Sequence, residues 1–180
     1  MNIFYLHSNP ALAASYLYDK HKVKMIVESA QMLCTAHIAA GNTDVPYKPS
    51  HLNHPSAIWA RANKSNYIWL YEHMVAIGRE YTKRYNRTHL TMTKCKAVLS
   101  VPPANIPAGD FTEPPQCMPD EYKVENDSIS AYWNYYEQDK CRIANKNEQK
   151  IMRPSCEQSK CISAVRVLGD KTETMIVNHK

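Results

Sequence analysis

The head of the chain is apolar without a helical period. Residues 2–7 (NIFYLH) predict a short strand or an anchoring arm. Asn9-Pro10 follows as an N-cap with proline in the first helical turn, and neither Pro nor Gly recurs until Gly41. This predicts one long helix over residues 11–40, with Gly41 as its stop. On a 3.6-residue period, Leu12, Tyr16, Val23, Val27, Ala30, Cys34 and Ile38 form one apolar stripe, and Met25, Ile26, Met32, Leu33 and Ala36 a second. Between them run His21, Lys24, Glu28, Gln31 and Thr35, spaced by threes and fours on a single face. A helix apolar on two sides is largely buried, so a polar stripe along it is either solvated through a cleft or paired internally. The plain reading is a solvated face with Lys24 and Glu28 as an i,i+4 pair. The functional reading is a site wall, where a carboxylate, a cation and an imidazole stand within reach of one another. On that reading Glu28, His21 and Lys24 share a polar cleft that opens toward residues 1–7.

His54-Pro55 opens a second helical stretch to about Tyr85, interrupted near Asn63–Ser65. Its amphipathic face is Tyr67, Leu70, Met74, Ile77 and Tyr81. A shorter helix is expected over 89–100. Pro102, Pro103, Pro107, Pro114, Pro115 and Pro119 then exclude helix and central strand, and predict a long surface crossing. Asp127 caps a further helix over 128–146. Beyond it, CISAVRVL and ETMIV flank Gly-Asp-Lys-Thr and suggest a β-hairpin. The expected fold is mostly α. It is a small orthogonal helical bundle built on the long N-terminal helix, with a helical domain over 1–146 and an appendage over 147–180.

Composition narrows the class. At 180 residues, 44% hydrophobic and 22% charged, the chain is a globular domain, not a disordered or fibrous one. No apolar run approaches the roughly 18 residues of a membrane span, and the N-terminus lacks the pattern of a secretory signal. A cytoplasmic protein with reduced thiols is therefore expected. The cysteines form no C-x-x-C pair, and His51-Leu-Asn-His54 has no partner pair at zinc-site spacing, so no metal or other cofactor is expected. The formal charge of +5 becomes interesting only through its distribution. Arg79, Lys83, Arg84, Arg87, Lys94 and Lys96 cluster with Glu80 as the one acid among them, which suits a phosphate backbone or, more plainly, a solubilising helix end. Tyr132-Trp133-Asn134-Tyr135-Tyr136 cannot face inward at every ring, so at least one is expected at the surface for base stacking.

Asp19-Lys20-His21, followed seven residues later by Glu28, resembles the first helix of the phage pyrimidine-dimer DNA glycosylase / AP-lyase family. The Tyr132–Tyr136 run resembles that family's C-terminal aromatic cluster. MNIFYLH and Asn53-His54-Pro55 resemble shorter bacterial relatives, and the same elements also look like a class of uncharacterised phage proteins. The resemblance implies a DNA base-excision enzyme acting on damaged or modified pyrimidines of double-stranded DNA in the phage-infected host cell. It further implies an N-terminal α-amine that attacks the sugar C1′ to form a Schiff base, and Glu28 as the carboxylate that stabilises the sugar cation. Two departures stand out. Asn2 is large enough that Met1 is expected to stay, which moves the amine by one residue. The family's arginines near the glutamate are replaced by Val27 and Gln31.

The expected catalytic residues are thus Glu28, Met1, His21 and Lys24. Met1 is preferred over Lys24 as the amine, because α-amines generally titrate near pH 8 and lysines near 10.4. Lys20, Lys22, Arg84, Arg87, Lys94, Trp133, Tyr135 and Tyr136 are expected to contact nucleic acid. Two other classes remain open: a non-catalytic nucleic-acid-binding accessory protein, and an enzyme acting on free nucleotides.

Overall fold

Asn9 and Pro10 do start a helix, but a short one. In the computed structural model, which describes residues 1–146, 148 and 151–154, α1 spans Pro10–Ser15 and α2 spans Asp19–Ala39. The expected single long helix is therefore two. Tyr18 is extended at φ −62, ψ 152, and its side chain provides no cap. Distant partners satisfy the break instead: the Tyr136 hydroxyl accepts from Tyr18 N at 2.8 Å, and Glu148 Oε1 accepts from Asp19 N at 2.8 Å. Because α2 begins afresh at Asp19, the apolar phase counted from residue 11 does not carry through. Val23, assigned to the core by that count, is exposed.

The remaining helices keep close to their sequence signals. Helix α3 (Pro55–Ala60) is capped by the His54 ring and α4 (Lys64–Tyr85) by Asn63, which places the expected interruption at Arg61–Asn63. Helix α5 is shorter than expected, at Leu90–Cys95. Helix α6 (Ser128–Gln138) is capped by Asp127 but stops well before residue 146, and a 3₁₀ turn over Lys140–Ile143 follows. Among the described residues the fold is mostly α and contains no strand. The expected β-hairpin lies outside them.

Helix α4 packs against both α1 and α2, and α3 and α5 pack on α2. Residues 2–8 thread through this core as an arm. Ile3, Phe4, Tyr5 and Leu6 are buried. Trp133 Nε1 donates to Leu6 O at 2.8 Å, and Trp69 Nε1 donates to Ser8 O at 2.6 Å. Phe4 has φ 53, a left-handed conformation that costs a bulky residue roughly 1–3 kcal/mol and survives only where its surroundings impose it. The proline-rich crossing straps the outside. Trp59 Nε1 donates to Thr112 O, Ser65 Oγ to Gly109 O, and Tyr132 OH to Pro115 O. The first described residues after Lys146 also bind the body, since Tyr18 OH accepts from Ile151 N and Glu137 accepts from Arg153 N.

Of the three buried histidines, all held down by burial, His73 and His21 are shifted furthest and make the fold sensitive to acid. Burial holds His73 down to about 3, and burial reinforced by the Lys140 and Lys24 charges holds His21 at about 4. Both folded values lie below the unfolded value near 6.5, so each ring favours the native state above that pH and disfavours it progressively below. The expected loss is up to about 1.4 kcal/mol per pH unit for each ring. Thermal melts should accordingly show a Tm that is level above pH 7 and falls by several degrees by pH 5.

Candidate active site

Glu28 sits midway along α2, against the head of the arm. Asn2 N donates to Glu28 Oε2 at 3.0 Å, and Lys24 Nζ lies 3.1 Å from Oε1. The carboxylate side chain is 14% exposed while the lysine is 68% exposed. The carboxylate is thus sheltered, and the lysine partner is mostly in water, where an ion pair contributes little.

Asn2 is fixed through its amide nitrogen and both polar atoms of its side chain. Its Oδ1 accepts from Ile3 N at 2.8 Å and Phe4 N at 3.4 Å, and its Nδ2 donates to Cys117 O at 2.9 Å. Cys117 reaches onward, with Sγ 3.4 Å from Ser56 Oγ at the start of α3. Ser56 N in turn donates to His54 Nδ1 at 3.2 Å. These links close a ring of α2, the arm, the crossing and α3 around one spot. Burial lowers the His54 pKa, as do the positive charges of the Met1 α-amine and His51, while Glu28 pulls it the other way. The imidazole therefore stands within the fields of both the amine and the carboxylate.

His21 faces a different neighbourhood. Its ring stacks on Phe4 at 4.2 Å between centroids, and Nδ1 lies 3.0 Å from Tyr136 OH. Tyr136 OH, which accepts from Tyr18 N, also shares a hydrogen bond with the neutral His21 ring. His21 is thus a buried, uncharged platform under the bend of the arm. In place of the expected polar cleft shared by His21, Lys24 and Glu28, the arm lies over His21 with Phe4 and over Glu28 with Asn2, and leaves Lys24 in water.

The family model of pyrimidine dimer DNA glycosylases matches residues 1–93, just over half of the chain. The chain belongs to this family. The matched segment holds the arm, Glu28, His54 and α4, whereas the α6 aromatics lie beyond it. No curated protein and no solved structure matches the chain. Membership makes it a DNA glycosylase in the broad sense, with DNA as the partner. Among the described residues no helix is long and apolar enough to cross a membrane.

The glycosylase distributes its other expected contact residues unevenly. Trp133 and Tyr136 are 1% and 0% exposed. That corrects the expectation that they stack on bases: their rings fill the core, and their polar ends bind Leu6 O and Tyr18 N. Tyr135 is half-buried, against Tyr122 at 5.1 Å and with Lys140 Nζ 4.4 Å from its ring centre. Lys20, Arg84, Arg87 and Lys94 are exposed. Arg84 already pairs with buried Asp19 at 2.7 Å, and Lys22 lies 3.7 Å from the same carboxylate. Arg87 Nε donates to Tyr81 OH at 3.0 Å. Sequence reasoning missed Asn2 as a clamp, Cys117 as its anchor and His54 as a neighbour of the amine. Asn53-His54-Pro55 marked the start of α3, but only the folded crossing shows what that start faces.

Proposed function

We propose that this glycosylase removes damaged or modified pyrimidines from double-stranded DNA through an amine at the head of the arm, with Glu28 as the stabilising carboxylate. The observation that carries this reading is the 3.0 Å contact between Asn2 N and Glu28 Oε2. It holds the backbone of residue 2 on the carboxylate, so an α-amine on Met1 lies one residue away. If Met1 is removed, the amine is Asn2 N itself.

The neutral amine attacks the sugar C1′ and forms a C–N bond. The C1′–base bond breaks, and the base leaves with the electron pair and gains a proton. The nitrogen loses a proton, the ring opens with O4′ taking one up, and a Schiff base remains. Glu28 stabilises the cationic sugar during this exchange, in a setting sheltered enough for charge to matter. In the lyase step a base removes a C2′ proton and the 3′-phosphate departs. Lys24 is the alternative amine, and its exposure and its pairing with Glu28 make it the weaker candidate.

Borohydride reduction in the presence of abasic or ultraviolet-treated DNA tests the reading. A covalent protein–DNA adduct is expected, with peptide mapping placing it at the chain head. Mapping to Lys24 would overturn the amine assignment, and an absence of both adduct and base release would overturn the glycosylase mechanism.

The phosphate contacts are expected to come from exposed cations free of buried acids, chiefly Lys20, Arg87 and Lys94. Replacing Lys20 and Arg87 by Ala should lower the slope of log affinity against log salt by up to about two. Replacing Arg84 should change it less, because Asp19 already balances that charge. Gel-shift titrations across salt concentrations measure both.

A further inference from the structure

The turn before α3 presents an apolar tip, Leu52. It springs from α2 at Thr35, whose Oγ1 accepts from Ser50 N at 3.0 Å. It closes with His54 N donating to His51 O at 2.9 Å, which leaves Leu52 and Asn53 at the two central positions. His51 is held left-handed at φ 51, with its Nδ1 2.6 Å from Ser50 Oγ. The far end is fixed by the His54 cap on Ser56 N and by Ser56 on Cys117. A turn anchored at both ends is stiff. Yet it exposes Leu52 to 45%, while polar residues surround it on both sides.

Thr35 lies two helical turns beyond Glu28 on the same face of α2, about 10 Å along the axis. The turn runs from there back to His54, which is tied through Ser56 and Cys117 to Asn2 on Glu28. Leu52 thus lies at the rim of the proposed site. The segment around it suits a polyanion: between Asp44 and Glu72 the chain has no acidic residue, and it carries Lys48, Arg61 and Lys64.

Resting on the proposed action on duplex DNA, we infer that Leu52 is a wedge that enters the base stack next to the target nucleotide. An enzyme that reaches C1′ within a duplex must open the stack, and an apolar side chain filling the gap lowers that cost. A stiff turn suits the task because little order has to be gained on binding.

The test compares wild type, Leu52→Ala and Leu52→Phe on two readouts. The first is the fluorescence of 2-aminopurine placed beside a tetrahydrofuran abasic analogue in a duplex, where no chemistry can occur. The second is the rate of borohydride trapping on a true abasic site in single-stranded and in duplex DNA. Wild type should raise the fluorescence. Leu52→Ala should bind with little rise, trap about tenfold more slowly on the duplex, and stay within about twofold of wild type on the single strand. Leu52→Phe should retain both activities. Melting should be unaffected, because an exposed side chain is replaced.

Equal trapping of duplex by Leu52→Ala and wild type, or an equal loss on both substrates, overturns the wedge. So does a duplex that wild type traps without unstacking. If wild type unstacks the duplex but never traps, the amine mechanism fails while the wedge stands. If it does neither, both fail.

Discussion

Glu28→Gln is expected to abolish base release. The substitution keeps the shape and the hydrogen bond from Asn2 N but removes the charge that the proposed mechanism sets against the sugar cation. Loss of such a group typically slows the chemical step by about a hundredfold or more. Lys24→Ala removes only a mostly exposed cation, and base release should stay within a few-fold of wild type. Release of free base from ultraviolet-treated DNA, measured under single-turnover conditions, gives both numbers. Thermal melting separates the effect from misfolding, since the glutamine fits the same space. Base release by Glu28→Gln at a near wild-type rate would overturn the role given to Glu28, whereas no base release from wild type would favour a DNA-binding accessory role.

Trp133→Ala is expected to give the largest loss of stability. The indole is buried, stacks edge-on with Tyr16 and Tyr136, and its Nε1 supplies the hydrogen bond to Leu6 O. Truncating a buried tryptophan costs about 3–5 kcal/mol. For a chain of this size each kcal/mol lowers Tm by roughly 2–4 °C, so a drop on the order of 10 °C is expected by calorimetry. Because the lost donor also holds the arm, activity should fall at temperatures below the variant's own melt. A Tm within about 2 °C of wild type would place Trp133 outside the load of the core.

Where a signal was local, the sequence displayed it. Asn9 and Asp127, read as caps, and His54-Pro55, read as a helix start, each begin a helix where expected, because such a signal lies within a few residues. The six prolines of 101–119 forbade regular structure by themselves. The break at Tyr16–Tyr18 was invisible for the opposite reason. Its hydrogen bonds come from Tyr136 and Glu148, more than a hundred residues away. The fate of the aromatic run followed the same rule: composition announced amphipathic rings, but only packing decides that Trp133 and Tyr136 spend their polar ends on the arm and on α2. The site divides likewise. Glu28 was legible from its place on a polar stripe and from its spacing to His21. Asn2 drew attention only as an obstacle to removal of Met1, whereas the fold uses its side chain to hold the head of the chain on Glu28. His21 shares the stripe but not the contact with Asn2, because Phe4 folds down onto its ring.

The arm also fixes a length. Trp69 and Trp133 grip the carbonyls of Ser8 and Leu6, and Asn2 is pinned to Cys117 at the other end. Phe4 takes up the bend between them. Such a segment behaves as a ruler with both ends clamped, so distance along the chain is converted into position at the carboxylate. One residue inserted between Asn2 and Leu6 would displace the head by up to about 3.5 Å, more than the whole contact with Glu28. A point substitution leaves this register in place, but a change in residue count within the arm does not.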